Sequence, residues 1–156
     1  MIKSKVLFVC LGNICRSPAA EAVFQALVNN KGFSDQFDLD SAGTNGLHDG
    51  ENADARMIKA ASLRDIDVPS ISRKFVKKDL EIFDHIIVMD DSNYENVVKL
   101  DDGSHVHKVS KMTDYCSGEF SKYDHVLDPY FGGEDGFNHV LDLLDNACLG
   151  LLQKIS

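Results

Sequence analysis

The chain has 156 residues, of which 44% are hydrophobic and 26% charged, a composition that fits one folded domain and not a disordered tract. Its 25 Asp and Glu against 16 Lys and Arg leave a net charge of −9, which argues against a protein that grips nucleic acid through clustered cations. No apolar run is long enough to span a bilayer or form a signal-peptide core, and the four irregularly spaced cysteines (Cys10, Cys15, Cys116, Cys148) do not make a secreted disulfide framework. The expectation is a cytoplasmic protein with reduced thiols, one domain over residues 1–156, with no membrane or nucleic-acid partner.

Val6-Leu7-Phe8-Val9 is a continuous β-branched and aromatic run, as in a strand buried on both faces of a parallel sheet. A Gly-containing loop follows from Leu11 to Arg16. Ala19, Ala22, Val23 and Ala26 then recur at helical spacing, with Pro18 in the first turn, where its missing N–H is harmless. Phe37 to Ser41 alternates like a short strand, and Asp54 to Arg64 reads as a helix. The basic run Arg73 to Lys78 reads as a solvated helix start. His85 to Met89 is a second buried strand, and Ser92-Asn93-Tyr94-Glu95 matches a capping box that opens another helix. Val106 to Val109 fits a fourth strand. Thr113 to Asn138 reads as one long loop rich in Gly and Asp. Val140, Leu143, Leu144, Ala147, Cys148, Leu151 and Leu152 form the apolar stripe of a C-terminal helix, in which Cys148 is a small core residue. Alternating strands and helices imply an α/β fold, a parallel sheet covered by helices on both faces.

The informative segment is Cys10-Leu11-Gly12-Asn13-Ile14-Cys15-Arg16-Ser17-Pro18. In open α/β sheets ligands bind at the carboxyl ends of strands, so the Cys10 sulfur should face that crevice. The loop runs into a helix N-terminus, whose unpaired N–H groups and positive dipole end suit a phosphate. The same field favours thiolate over thiol at Cys10, and the Ser17 hydroxyl can donate a hydrogen bond to it. Arg16 brings a planar fork that can pair with two phosphate oxygens. This is an activated nucleophile inside a phosphate cradle. A phenolate leaving group, with a pKa of about 10, calls for a proton donor. Asp128 in Leu127-Asp128-Pro129-Tyr130-Phe131 is the candidate, with Tyr130 and Phe131 as flat walls for a phenyl ring. Asp90, after a buried strand, can cap a helix or orient the loop. The six His residues lack metal-ligand spacing, so neither a metal nor another cofactor is implied.

Together, the Val9–Pro18 segment, the Asp128-Pro129-Tyr130 triplet and Met89-Asp90-Asp91-Ser92-Asn93 resemble the low-molecular-weight protein tyrosine phosphatases over nearly the whole chain. The resemblance implies a three-layer sandwich with a four-stranded parallel sheet and a phosphate-binding loop after the first strand. It implies Cys10 as nucleophile, Arg16 as phosphate ligand and Asp128 as general acid, acting through a phosphocysteine intermediate. Leu11, Gly12, Asn13, Ile14, Cys15 and Ser17 then belong to the substrate loop, and Leu47, Tyr130 and Phe131 to the pocket. Cys15 resembles the family's second loop cysteine, which can pair reversibly with Cys10 under oxidation. The implied partners are phosphotyrosine proteins or aryl phosphates, with inorganic phosphate or a similar oxyanion in the site, and the protein acts as a monomer or weak dimer.

Three departures stand out. Leu47, followed by His48, occupies a loop position where the family often has an aromatic residue. Ser70-Ile71-Ser72 precedes Arg73 where many members carry a supporting His, so that support is altered or comes from Ser70. Ile14 replaces the Thr of phosphoarginine-hydrolysing relatives and favours tyrosine. The alternatives are an arsenate reductase of the same fold, which needs a cysteine relay that Ser72–Asn93 lacks, a cysteine phosphocarrier domain, which has no use for a committed Arg16 and acid, and a non-catalytic phosphotyrosine-binding module.

Overall fold

The computed structural model describes residues 2–131 and 133–156, without the side chains of Phe131 and Glu134. Four parallel strands, β1 (Ser4–Cys10), β2 (Phe37–Gly43), β3 (His85–Val88) and β4 (Val109–Lys111), lie in the order β2-β1-β3-β4. Cys10 sits opposite Gly43 at the end of the β1–β2 ladder, so the nucleophile candidate leaves the sheet at its carboxyl edge.

Strand alternation explains the layering. Val6 and Phe8 face one side, where they pack with Phe24 of α1 (Arg16–Lys31), Met57 of α2 (Ala55–Ser62) and Leu141 and Leu144 of α5 (Glu134–Ile155). Leu7 and Val9 face the other side, with Leu80 of α3 (Asp79–Ile82), Val97 of α4 (Asp91–Val98) and Phe75. Val6, Leu7, Phe8 and Val9 are all 0% exposed, and each such side chain contributes about 1.5–3 kcal/mol by burial. The three-layer sandwich is the expected one. No described helix is long and apolar enough to cross a membrane.

Some expected elements move. The cap of α4 is Asp90, whose Oδ1 accepts from the Asn93 N–H at 2.8 Å, so the helix starts before Ser92. Either residue satisfies the sequence pattern, and Asp90 wins because its backbone is still extended as it leaves β3. The fourth strand is Val109–Lys111, and Val106–Lys108 forms a tight 3-10 turn before it. The expected long loop contains 3-10 turns at Met112–Tyr115, Gly118–Lys122 and Pro129–Phe131, and α5 already begins at Glu134. Arg73 to Phe75 is an extension of the sheet and not a helix start: the Gly43 N–H donates to Arg73 O at 2.8 Å and the Phe75 N–H to Gly43 O at 2.7 Å. Cys148 is core, as expected.

Candidate active site

The loop from Leu11 to Cys15 is held from outside by its carbonyls. Thr44 N–H donates to Cys10 O at 2.9 Å, Asn45 N–H to Leu11 O at 3.0 Å, Asp54 N–H to Ile14 O at 2.8 Å and Ala19 N–H to Cys15 O at 3.1 Å. The Ser72 hydroxyl donates to Asn13 O. A trans peptide points its C=O and N–H in opposite directions. Turning these five carbonyls outward therefore turns the N–H groups of Leu11, Gly12, Ile14, Cys15 and Arg16 the other way. Such a nest of amides, at the head of a 16-residue helix, favours an anion.

Asn13 makes the loop's sharp bend with a φ of 56°, a left-handed conformation that Asn tolerates better than most residues. Its Oδ1 accepts from the Arg73 N–H at 3.0 Å and its Nδ2 donates to Ser17 Oγ at 2.8 Å. Ser17 Oγ then lies 3.0 Å from Cys10 Sγ. Ser17 Oγ accepts from Asn13, and its single hydrogen has two acceptors in reach, the sulfur at 3.0 Å and Ala42 O at 3.4 Å, of which the sulfur is the nearer. Asn13 and Ser17 are 1% and 0% exposed: they lie beneath the loop and tune it, and do not line the cleft. Gly43 is required behind them, since a Cβ there would stand 2.9 Å from Leu11 O and 3.1 Å from Asn13 Cβ. The loop's rear support is thus Ser72, not Ser70, whose buried hydroxyl has no partner among the described residues.

Arg16 is 3% exposed. Its Nη1 donates to Asp90 Oδ2 at 2.8 Å and to Val126 O at 3.0 Å, and its Nη2 lies 3.7 Å from Asp128 Oδ2. Burial opposes its charge, but Cys10, Asp90 and Asp128 outweigh that and hold the guanidinium pKa above its ordinary value. Asp90 fulfils both sequence expectations at once, one oxygen on the helix cap and the other on Arg16.

Asp128 sits over the same cleft. Its Oδ1 accepts from the Tyr130 N–H at 3.0 Å across Pro129, leaving Oδ2 directed to Arg16. The cleft has a volume of about 200 Å³, and Cys10, Leu11, Gly12, Ile14, Cys15, Arg16, Leu47, Asp128 and Tyr130 all line it. Asn45 and His48 line it too. The side chain of Phe131 lies outside the described residues. Leu47 is 78% exposed at the rim, whereas the His48 ring leans on Gly12, where a Cβ would meet its Cδ2 at 3.0 Å. His48 and Tyr130 have ring centroids 6.5 Å apart, so a His supplies the second flat wall. Burial, then Asp54, Cys10 and Asp128, push the Cys15 thiol well above its ordinary pKa, so it stays protonated beside Cys10.

Sequence reasoning missed Asn45, Asp54, Arg56 and Ser72, and treated His48 only as a neighbour of Leu47. Asp54 carried a legible sign, as a cap before an apolar helical pattern. Ser72 meets its partner 59 positions away and no local pattern announces it.

Residues 5–156 match the family described as "Low molecular weight phosphotyrosine protein phosphatase". A protein of that name from Schizosaccharomyces pombe is 42% identical over 153 residues, covering 97% of each chain. The human protein of the same name is 36% identical over 151 residues, covering 96% of this chain and 94% of its own. A protein tyrosine phosphatase from Entamoeba histolytica, solved with Hepes in its active site, superposes with a TM-score of 0.95 at 44% identity, over 98% of this chain and 97% of its own.

Proposed function

Because this chain belongs to the low molecular weight phosphotyrosine protein phosphatase family, we propose that it hydrolyses phosphotyrosine in two steps through a phosphocysteine. The observation that carries the reading is the convergence of Cys10, Arg16 and Asp128 on one cleft, with five loop amides turned toward it. In the first step the Cys10 thiolate attacks phosphorus. Arg16 and the loop N–H groups stabilise charge on the equatorial oxygens, and protonated Asp128 gives its proton to the leaving phenolate oxygen. The S–P bond forms as the P–O bond breaks. In the second step Asp128, now a carboxylate, takes a proton from water as that water attacks phosphorus. The S–P bond breaks, Cys10 leaves as thiolate, and phosphate is released.

The substrate class follows from the cleft's shape. His48 and Tyr130 suit a phenyl ring, and the burial of Cys10, which is 3% exposed, favours a tyrosine side chain over the shorter phosphoserine. Ile14 lines the cleft and offers no hydroxyl, which favours tyrosine over phosphoarginine. Hepes in the Entamoeba enzyme's site supports binding of tetrahedral oxyanions here. The four free thiols support a cytoplasmic setting. Cys15 lines the same cleft as Cys10, which supports reversible protection: a peroxide oxidises the Cys10 thiolate to sulfenic acid, the Cys15 thiol gives its proton to the departing hydroxide as its sulfur bonds to Cys10, and water and a disulfide result.

The test is release of phosphate from phosphotyrosine, phosphoserine and phosphoarginine peptides, with a metal chelator present. Hydrolysis of phosphotyrosine alone, unaffected by chelator, is the expected outcome. A rapid acid quench should trap phosphate on Cys10. Equal turnover of phosphoarginine would overturn the substrate assignment, and failure to trap phosphate on Cys10 would overturn the mechanism.

A further inference from the structure

We propose that Arg56 is a positioning residue for the proton donor: it fixes the segment that carries Asp128, and so sets how well the leaving phenolate is protonated, without touching phosphate. The proposal rests on reading Asp128 as the general acid.

Arg56 stands in the first turn of α2, and its side chain crosses to the other rim of the cleft. Its Nη2 donates to Tyr130 O at 3.2 Å. The guanidinium carbon lies 5.3 Å from the Tyr130 ring centroid and 4.9 Å from that of Phe137, a 2% exposed residue of α5. A cation within about 6 Å of a ring is attracted to it. The fork is aimed by Asp54, with Nε to Oδ1 at 3.1 Å and Nη2 to Oδ2 at 2.9 Å. Asp54 in turn gives its own backbone N–H to Ile14 O at 2.8 Å.

A continuous path of contacts therefore runs from the phosphate loop, through Asp54 and Arg56, to Tyr130. Tyr130 is also the residue whose N–H holds Asp128 Oδ1 at 3.0 Å. Fixing both the carbonyl and the ring of Tyr130 fixes the direction of that N–H, and with it the carboxyl. The Arg56 side chain is 48% exposed, so although Asp54 is only 10% exposed, solvent screens the pair at the cation and its contribution to stability is small. Three contacts on the acid's segment and its support thus belong to a residue that folding hardly needs. Lysine would keep the charge but neither the planar face nor the fork.

The distinguishing measurement is kcat/KM across aryl phosphates of different leaving-group basicity. Loss of proton donation penalises basic phenols and spares acidic ones, whereas a general structural defect penalises all alike. For Arg56→Ala, kcat/KM on phenyl phosphate should fall about tenfold while that on 4-nitrophenyl phosphate stays within about twofold, a fraction of what a general acid supplies. Arg56→Lys should track Arg56→Ala, and thermal midpoints should stay close to wild type. Asp128→Asn, run beside them, should show the same selectivity in stronger form. If Asp128→Asn is selective and Arg56→Ala is wild-type or loses activity equally on both substrates, the role of Arg56 is overturned and the acid stands. If Asp128→Asn itself shows no selectivity, the acid assignment fails, and the role of Arg56 with it. Full recovery in Arg56→Lys would overturn the stacked-fork account.

Discussion

The two rims of the cleft are built by opposite means. The phosphate loop is anchored at nearly every peptide, by Thr44 just past β2, the Asn45 turn, the start of α2 and Ser72, and the side chains of Asn13 and Ser17 beneath it are sealed from water. Among the described residues the acid-bearing segment is held mainly by side chains: the Val126 N–H rests on Met89 O at 2.8 Å, but Val126 O and Asp128 meet Arg16, and the Tyr130 carbonyl and ring meet Arg56. Leu127 and Tyr130 are 50% and 40% exposed. The difference reflects what each rim must do. Amides stabilise transition-state charge only if they need no reorganisation when it appears. An acid must clear the way for the substrate and then reach its oxygen.

Substitutions should therefore sort by rim, those in the loop's supports lowering stability and activity together and those in the acid segment lowering activity alone. The largest effect lies at the point both rims share. Cys10→Ser should reduce kcat by more than about 10⁴-fold in a phosphotyrosine assay, since the other thiol lining the cleft, Cys15, is held in its protonated form by burial. Next, Asp128→Asn should lower kcat/KM on phosphotyrosine by about 10²- to 10⁴-fold with an unchanged thermal midpoint. An equal loss of stability would erase the contrast between the rims. On the other side, Ser72→Ala leaves Asn13 O without its donor, at a cost of about 1–3 kcal/mol. Calorimetry should show a midpoint lower by roughly 2–4 °C per kcal/mol, together with a fall in activity. The smallest effect concerns pH. The hydrogen bond from Arg56 holds the Asp54 carboxyl below its usual range. A depressed carboxyl stabilises the fold above its unfolded pKa, about 3.9, and that contribution is lost as pH falls through the folded value. Wild type and Asp54→Asn, in which the helix cap survives, should differ in midpoint near neutrality and converge toward pH 3.

The same contrast explains what could be read from sequence. The strand, loop and helix around Cys10 are contiguous, so residue types and spacing reveal them. Cys148 and the C-terminal stripe were legible because helical burial has a period. Asp128 stood out through the Asp128-Pro129-Tyr130 triplet and the need for a proton donor, and it lies on the cleft that Cys10 lines. The supports are not contiguous: Arg16 meets Asp90 74 positions on, which the preceding strand had marked as a cap or loop-orienting residue, and Val126 110 positions on, which nothing local marks. The fourth strand was displaced because Val106 sits 39% exposed in a tight turn, while pairing with β3 selects Val109–Lys111. His48 was passed over because its role depends on Gly12 leaving room for a ring.

The divided carboxylate of Asp90 has a further consequence. One oxygen closes the first turn of α4 and the other holds the guanidinium of Arg16, so local unravelling of that helix takes away one of the three partners of that cation and leaves Val126 O and Asp128. A molecule whose α4 has opened keeps its nucleophile but holds its cation by two partners in place of three. Amide exchange in residues 91–98 thus becomes a gauge of how often the resting enzyme steps out of its competent state, readable without any substrate at all.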